Sequence, residues 1–349
     1  DSYTSGSYET GAIAGWNKGT ISGVWASGYL QGVSGSGGLV GQNDGTITRS
    51  FSTVAVQSRD SNAVGGIAGS NSGTISQVYA SGSVLGGDKT GGLVGFNTGS
   101  LSDGYSTGAV NGTMGATGIG GSVGFSWGTV TNVYFDTTTS GTTIGVGSGG
   151  TPSVTSTGLT TAQLQSGGAT ALSAAFGGGT GGLYPYLNSF YPNGVQAISG
   201  IAYKDSGVTP LSSGTRQPYY VKNPGFVTGV SNGVDIGSVT TGVNGYYYIA
   251  VPTGWINNSV LAYTVRDADP NDSSGAQNGV TFRTGLSGGN VSNLNVYGNW
   301  RLDEADSSIT SLSALQNIAN ATVGSAVVGS LTFSNWQIET AATTFALDQ

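Results

Sequence analysis

The chain holds 349 residues, of which 64 are Gly, 46 Ser and 41 Thr, about 43% in three small residue types, while charged side chains make up only 8%, against about 25% in an ordinary soluble domain. Ten Lys plus Arg against seventeen Asp plus Glu give a net charge of -7, which lacks the basic footprint that nucleic acid or an anionic membrane surface requires. With no Cys and no His, disulfide frameworks, Cys/His zinc sites, Cys nucleophiles, Ser-His-Asp triads and imidazole bases are excluded.

Disorder is the reflex reading of so much Gly, Ser and Thr, but 37% hydrophobic residues with six Trp, seventeen Tyr and ten Phe do not fit it. No stretch approaches the roughly 18 apolar residues of a membrane-spanning helix, so no membrane insertion is expected. A large, acidic, Cys-free chain of this kind has the composition of a bacterial protein exported unfolded across the envelope, and an extracellular or cell-surface location is the expectation.

Residues 1–136 carry an internal repeat, the feature to seek first. Five copies align: Gly11-Ala-Ile-Ala-Gly15, Gly37-Gly-Leu-Val-Gly41, Gly65-Gly-Ile-Ala-Gly69, Gly91-Gly-Leu-Val-Gly95 and Gly120-Gly-Ser-Val-Gly124, their last glycines 26, 28, 26 and 29 residues apart. At fixed offsets follow Asn17, Asn43, Asn71 and Asn97, with Ser126 in the fifth copy. An aliphatic comes next at Ile21, Ile47, Ile75, Leu101 and Val130, then an aromatic at Trp25, Phe51, Tyr79, Tyr105 and Tyr134. The opening Asp1-Ser-Tyr-Thr-Ser-Gly6 matches Asp103-Gly-Tyr-Ser-Thr-Gly108, so the chain is expected to open inside a repeat, as a piece of a longer protein.

Each copy holds two or three alternating runs of three to five residues between Gly, Asn and Asp turns, too short for helices. A unit with one thin apolar edge cannot bury it alone, so the copies must stack, each strand pairing with its equivalent about 4.8 Å away. The fold class expected is all-β: a parallel β-helix of about 27 residues per coil, with a small antiparallel β-sandwich module further on. Inside, the aliphatics form one ladder. The aromatics form another, and the asparagines sit at a corner in the left-handed region, bonding side chain to side chain along the axis. Glycines are expected to turn the corners through positive φ.

The G-G-L-V-G-x-N-x-G-x-I pattern with its trailing Y-S/A-T/S-G resembles the GLUG repeat of bacterial two-partner-secretion and autotransporter exoproteins, the filamentous-haemagglutinin-like adhesins. Tyr134-Phe-Asp-Thr-Thr-Thr-Ser140 followed by Gly158-Leu-Thr-Thr-Ala-Gln-Leu164 resembles the segment that closes such arrays. The resemblance implies a secreted rod, an outer-membrane secretion transporter as partner, and an extracellular glycan or protein as ligand.

Residues 137–195 form an uncharged connector and cap. Thr160 or Thr161 starts a short helix through Leu164, and Tyr184, Tyr186, Phe190 and Tyr191 are placed to plug the open end of the stack. Residues 196–277 form the sandwich, with strands at Ile198–Tyr203, Val234–Ile236, Val239–Thr241, Tyr246–Val251 and Val260–Val265, and hairpin signals at Asn232-Gly233 and Asn244-Gly245. Ile201 to Leu211 and Thr240 to Ile249 resemble carboxypeptidase-regulatory-like, collagen-adhesin B-type modules. Some of these cross-link a strand Lys, here Lys204, to an Asn with the help of a buried acid, but no Glu lies between Glu9 and Glu304. Residues 278–349 return toward the solenoid, with one helix on Ile309, Leu312, Leu315 and Ile318 capped by Ser307 or Ser308, and strands near Leu331–Phe333 and Thr343–Leu347.

Asp267, Asp269 and Asn271 alternate as oxygen ligands do at the opening of a Ca²⁺ loop, although the sixth position lacks Gly and the twelfth is Asn278. Asp60 and Asp88 recur at one offset and could stack as an acid pair, but Arg59 and Lys89 flank them and a self-neutralised loop is the plainer account. Gly35, Gly37 and Gly41 mimic a dinucleotide loop without the helix it needs. Trp16, Phe96, Phe125 and Trp127 flank the corners and suit stacking on a sugar ring. No catalytic residue and no cofactor other than calcium is expected. The function read from sequence is a non-catalytic segment of a surface adhesin or its stalk, with a β-helical polysaccharide-active enzyme and a purely structural extracellular fibre as alternatives.

Overall fold

A computed structural model describes residues 2–5, 9–58, 62–113, 115–150, 154–213, 225–264, 278–323 and 335–346. The chain divides into two compact units, one of Asp1–Gly194 with Ser212–Pro218 and Gly242–Asn244, the other of Val195–Leu211, Tyr219–Thr241 and Gly245–Gln349.

The first unit is a parallel β-solenoid of about five turns. Its coils carry four strands rather than three, as in Gly28–Gly32, Ser36–Gly37, Val40–Asn43 and Thr46–Ser52. Each type of strand stacks into its own parallel sheet, and the repeat spacing sets the register. Ile21, Ile47, Ile75, Leu101 and Val130 are successive partners, and Ile47, Ile75, Leu101 and Val130 are wholly buried beside Leu39, Ile67 and Leu93. The opening segment departs from its sequence alignment. Tyr3 lies opposite Tyr29, so Ser2–Ser5 is the equivalent of Gly28–Gln31 and not of the aromatic rung.

The ladders do not stop at residue 136. Val146–Gly149 pairs with Val123–Ser126, and Val154–Leu159 with Thr129–Asp136, so part of the expected connector is solenoid. The sequence hides this because the G-G-x-x-G signature is absent there, although valines still alternate. Between these strands Asp136 caps the short helix Thr137–Ser140, accepting from the amides of Thr138 and Thr139. This fully buried carboxylate also accepts from the hydroxyls of Thr161 and Tyr184. Thr160 caps Thr161–Leu164 through a capping box, as expected.

Asn17, Asn43, Asn71 and Asn97 form the expected ladder: each Nδ2 donates to the next Oδ1 at 2.7, 2.8 and 2.8 Å, and Asn97 ends it on Ser126 Oγ at 3.1 Å. These asparagines are at strand ends and are not left-handed. Positive φ falls instead on Gly23, Arg49, Gln77, Asp103 and Asn132, and on Glu9, Gly35, Ala63, Lys89 and Gly118, two corner series with the repeat's own spacing. Most of the motif glycines answer a different demand. A Cβ on Gly45, Gly73, Gly99 or Gly128 would fall 2.0 to 2.1 Å from the carbonyl oxygen of the equivalent glycine one coil back.

Trp25, Phe51, Tyr79 and Tyr105 stack with centroids 5.8, 4.6 and 5.2 Å apart and planes within 11°. Tyr134 keeps the backbone register beside Tyr105, and its hydroxyl accepts from the amide of Ala171 at 2.9 Å. The rings lie on the outer side of their sheet, since Ser50 and Ser52 flanking Phe51 are fully buried. The aromatics of 176–191 do not plug the end of the stack. Phe190 meets Phe51 edge-on at 4.9 Å, Phe176 meets Tyr105 at 6.1 Å and Tyr184 lies over Tyr105 at 6.4 Å, so this segment runs along the flank of the aromatic ladder and buries it.

In the second unit the two-stranded antiparallel sheet Val195–Ile201 with Tyr246–Pro252 packs Ile198, Tyr247, Ile249 and Val251 against Val227, Ile236, Val239, Val260 and Ala262 of a six-stranded sheet. That sheet runs Val234–Thr240, Phe226–Ser231, Asn258–Thr264, Gly279–Leu286, Trp300–Ala305 and Asn335–Thr340. Asn232-Gly233 closes a hairpin as expected. Asn244-Gly245 does not, because the strands on either side of it belong to different sheets. The expected boundary at 277/278 and the return to the solenoid are both corrected. Asn258–Thr264 pairs with Gly279–Leu286 across that boundary, and Trp300–Ala305 and Asn335–Thr340 extend the same sheet in parallel. The helix Leu312–Val323 covers the sheet's other face with Leu315 and Ala319. Ser311, not Ser307 or Ser308, accepts from the amide of Ala314 at its start. Of the expected late strands, Leu331–Phe333 lies outside the described residues, and the described part of Thr343–Leu347, which excludes Leu347, supplies a bridge at Ala346.

Candidate functional site

The outward position after Gly stacks Trp16, Gln42, Ser70, Phe96, Phe125 and Ser148 into one row of the six-stranded sheet, exposed at Trp16 and Ser148 and half-buried between them. The residue that follows each of the first five, Asn17, Asn43, Asn71, Asn97 and Ser126, is buried, and alternation puts the residue before it on the opposite face of the sheet. Phe96 and Phe125 lie 5.6 Å apart, and Trp127, 60% exposed, meets them edge-on at 5.8 and 5.0 Å. The ammonium of Lys89 stands over the same rings, 4.7 Å from the Phe96 centroid and 5.5 Å from that of Phe125. A fixed cation on an aromatic cluster is a stable surface feature, because the ring quadrupole attracts it.

Trp16 belongs to the row but not to the cluster. The rungs of Gln42 and Ser70 separate it from Phe96, a distance of about 14 Å at the strand spacing. Its indole donates to Asp44 at 2.7 Å, and Lys18 Nζ lies 3.7 Å over its ring. Asp44 also accepts from Ser72 at 2.6 Å and Gln42 at 2.9 Å, and these bonds, Ser72 first, hold its carboxyl below the usual range.

Asp88 accepts from the amide of Thr117 at 2.6 Å and its hydroxyl at 3.0 Å, which lowers its pKa. Asp60 and Arg59 lie outside the described residues. So do Asp267, Asp269 and Asn271, the calcium candidates. Among the described residues no group of three or more metal-binding side chains converges, and no helix is long and apolar enough to cross a membrane. Lys204 sits in a turn, where Asp205 accepts from the amides of Gly207, Val208 and Thr209.

Lys89 was missed as a member of the aromatic cluster. It lies seven residues before Phe96, and only the left-handed corner it occupies turns its side chain back onto the outward row. The signal was its place in the corner series, which mixed residue types concealed. The fold is thus a parallel β-solenoid with a second, mixed β unit. Comparison with known proteins finds no matching family model, curated protein or solved structure.

Proposed function

We propose that this chain is a non-catalytic segment of a secreted bacterial surface adhesin, or of its stalk, with the Phe96–Phe125–Trp127 cluster as its contact for an extracellular glycan. The observation that carries the reading is the clustering of Trp127 and Lys89 about the outward rings of Phe96 and Phe125, with Trp127 largely uncovered. An aromatic face of this size suits the C–H face of a sugar ring, and the stacked coils hold it in one geometry. The resemblance of the repeats to GLUG arrays supports export through an outer-membrane transporter and a place on the cell surface.

Glycan-array binding by the whole chain, lost in Trp127→Ala with an unchanged melting curve, is the expected result. Release of reducing ends from a polysaccharide would move the chain to the enzyme alternative, and silence in both assays would leave a structural fibre. Calcium at Asp267, Asp269 and Asn271 remains part of the proposal; a melting curve unmoved by EDTA removes it.

A further inference from the structure

The sheet that carries the aromatic ladder also carries, on its first three positions per coil, an outward pair of hydroxyls around the buried aliphatic. One column runs Thr20, Thr46, Thr74, Ser100, Thr129, each the direct register partner of the next. The second column stands two residues further along each strand, from Ser22 to Thr131, in the same unbroken register. All ten side chains are exposed or half-buried, and the segment that buries the aromatic rings leaves them uncovered.

Strand geometry fixes the array in two dimensions. Hydroxyls repeat at about 4.8 Å along the stack, and the columns stand about 6.6 Å apart. Six of the ten are Thr, whose χ1 is restricted by the branch at Cβ, so there hydroxyl and methyl are held in place before anything binds, while Ser22, Ser76, Ser100 and Ser102 add a hydroxyl alone. Ser76 Oγ donates to Thr48 Oγ1 at 3.3 Å, tying adjacent rungs, and Arg49 Nη2 donates to Ser22 Oγ at 3.4 Å at one end.

Three features choose the occupant. None of the ten side chains is charged, so charge complementarity calls for a neutral partner. The array spans about 19 Å by about 7 Å between outermost positions at strand spacing, far below the roughly 800 Å² per partner of a stable protein interface. The occupant must also repeat along both axes, whereas a polysaccharide chain repeats along one. The spacing along the stack lies close to the shorter oxygen repeat on a prism face of hexagonal ice, and the spacing between columns falls about a tenth short of the longer one. We infer that this face binds ice: waters held between the columns already occupy lattice-like positions, with hydroxyls satisfying them and methyls excluding others, and they join a growing crystal. The inference rests on a different sheet from the glycan reading.

The test is ice-affinity partition of the whole chain, together with the gap between melting and crystal growth in a nanolitre osmometer. Uptake into the ice and faceted crystals are expected. Thr74→Lys, at the centre of the array, should cut the gap by more than half, while Ser70→Lys on the neighbouring sheet and Trp127→Ala leave it unchanged. Exclusion of the wild-type chain from ice overturns the inference whatever the variants do. So does a Thr74→Lys chain that is folded by circular dichroism and equally active. Binding to crystalline cellulose or chitin without ice uptake, or self-association that Thr74→Lys abolishes, reassigns the face and overturns it too.

Discussion

Asn43 Nδ2 donates to Asn71 Oδ1 across 2.8 Å, one coil to the next, with both side chains essentially excluded from water. Asn71 passes the same bond on to Asn97. Asn71→Ala therefore breaks both ladder bonds together with the longer bonds of Asn71 Nδ2 to the Gly73 and Ser100 carbonyls; Asn43 Nδ2 loses its shortest partner but keeps the Gly45 carbonyl at 3.2 Å, and Asn97 Oδ1 loses its ladder donor. A buried polar group left without a partner costs about 1–3 kcal/mol, and since Asn43 Nδ2 keeps one acceptor the variant should lose about 2–4 kcal/mol in urea unfolding, below the full cost of two orphaned groups. Asn71→Ser should lose less, since Ser126 fills the last rung by accepting from Asn97 and donating to the Gly128 carbonyl. Equal losses for Ala and Ser would mean that the ladder adds nothing beyond volume.

Gly19 and Gly73 hold the same offset in two coils, yet a Cβ on Gly19 has nothing within 4 Å while one on Gly73 falls 2.1 Å from the Gly45 oxygen. Gly73→Ala must push two coils apart at the ladder hydrogen bonds, and a loss of about 3 kcal/mol or more is expected, at the upper end for overpacking. Gly19→Ala should be neutral within about 0.5 kcal/mol, as surface changes are. Paired chemical denaturation curves decide it.

The solenoid was legible because stacking demands identity at equivalent positions: Asn43 and Asn71, or Ile47 and Ile75, occupy the same environment and so repeat as the same residue. The left-handed corners were not legible, because Arg49, Gln77 and Asp103 share only a backbone angle, which their side chains do not advertise. The coil beyond Asp136 was hidden for a related reason. Val146 and Val154 keep the inward rungs, but the glycine signature that marks a coil packed on both sides is gone. In the second unit Asn232-Gly233 betrayed its hairpin locally. The parallel pairing of Trp300–Ala305 with its neighbours is a long-range event with no local mark. Of the candidate site, Phe96 and Trp127 were found from their offsets, whereas Lys89 reaches them only through its corner.

Phe51 and Trp25 test the aromatic ladder. Phe51 is 5% exposed between Trp25 and Tyr79, with Phe190 edge-on, whereas Trp25 is 55% exposed. Phe51→Ala opens a cavity that rigid strands on both sides cannot close, and should cost about 3–5 kcal/mol. Trp25→Ala should cost well under half of that. Loss of the same magnitude at both positions would mean that ring stacking, and not burial by the flanking segment, holds the ladder.

Stability should be flat from about pH 5 to pH 9, because the chain has no His or Cys side chain to titrate there. Below that range Asp44, Asp88, Asp205 and Asp306 all have lowered pKa values through hydrogen bonds to the charged carboxylate. For Asp205, donors led by Thr209 bring it to about 2. A depressed folded pKa contributes stability that is present above the unfolded value, about 3.9 for Asp, and is lost as pH falls through the folded one. Thermal midpoints should thus begin to fall below about pH 4 and continue falling to about pH 2. Asp205→Asn keeps an acceptor for the turn amides but carries no charge, so its midpoint should approach that of the wild type as pH drops from 5 to 2. A gap that stays constant over that range would show that the turn draws nothing from the ionised form. At the alkaline end, burial raises the phenols of Tyr191, Tyr247 and Tyr263. The sign reverses for a raised pKa: the contribution is complete below about pH 10 and is lost only as pH climbs beyond it.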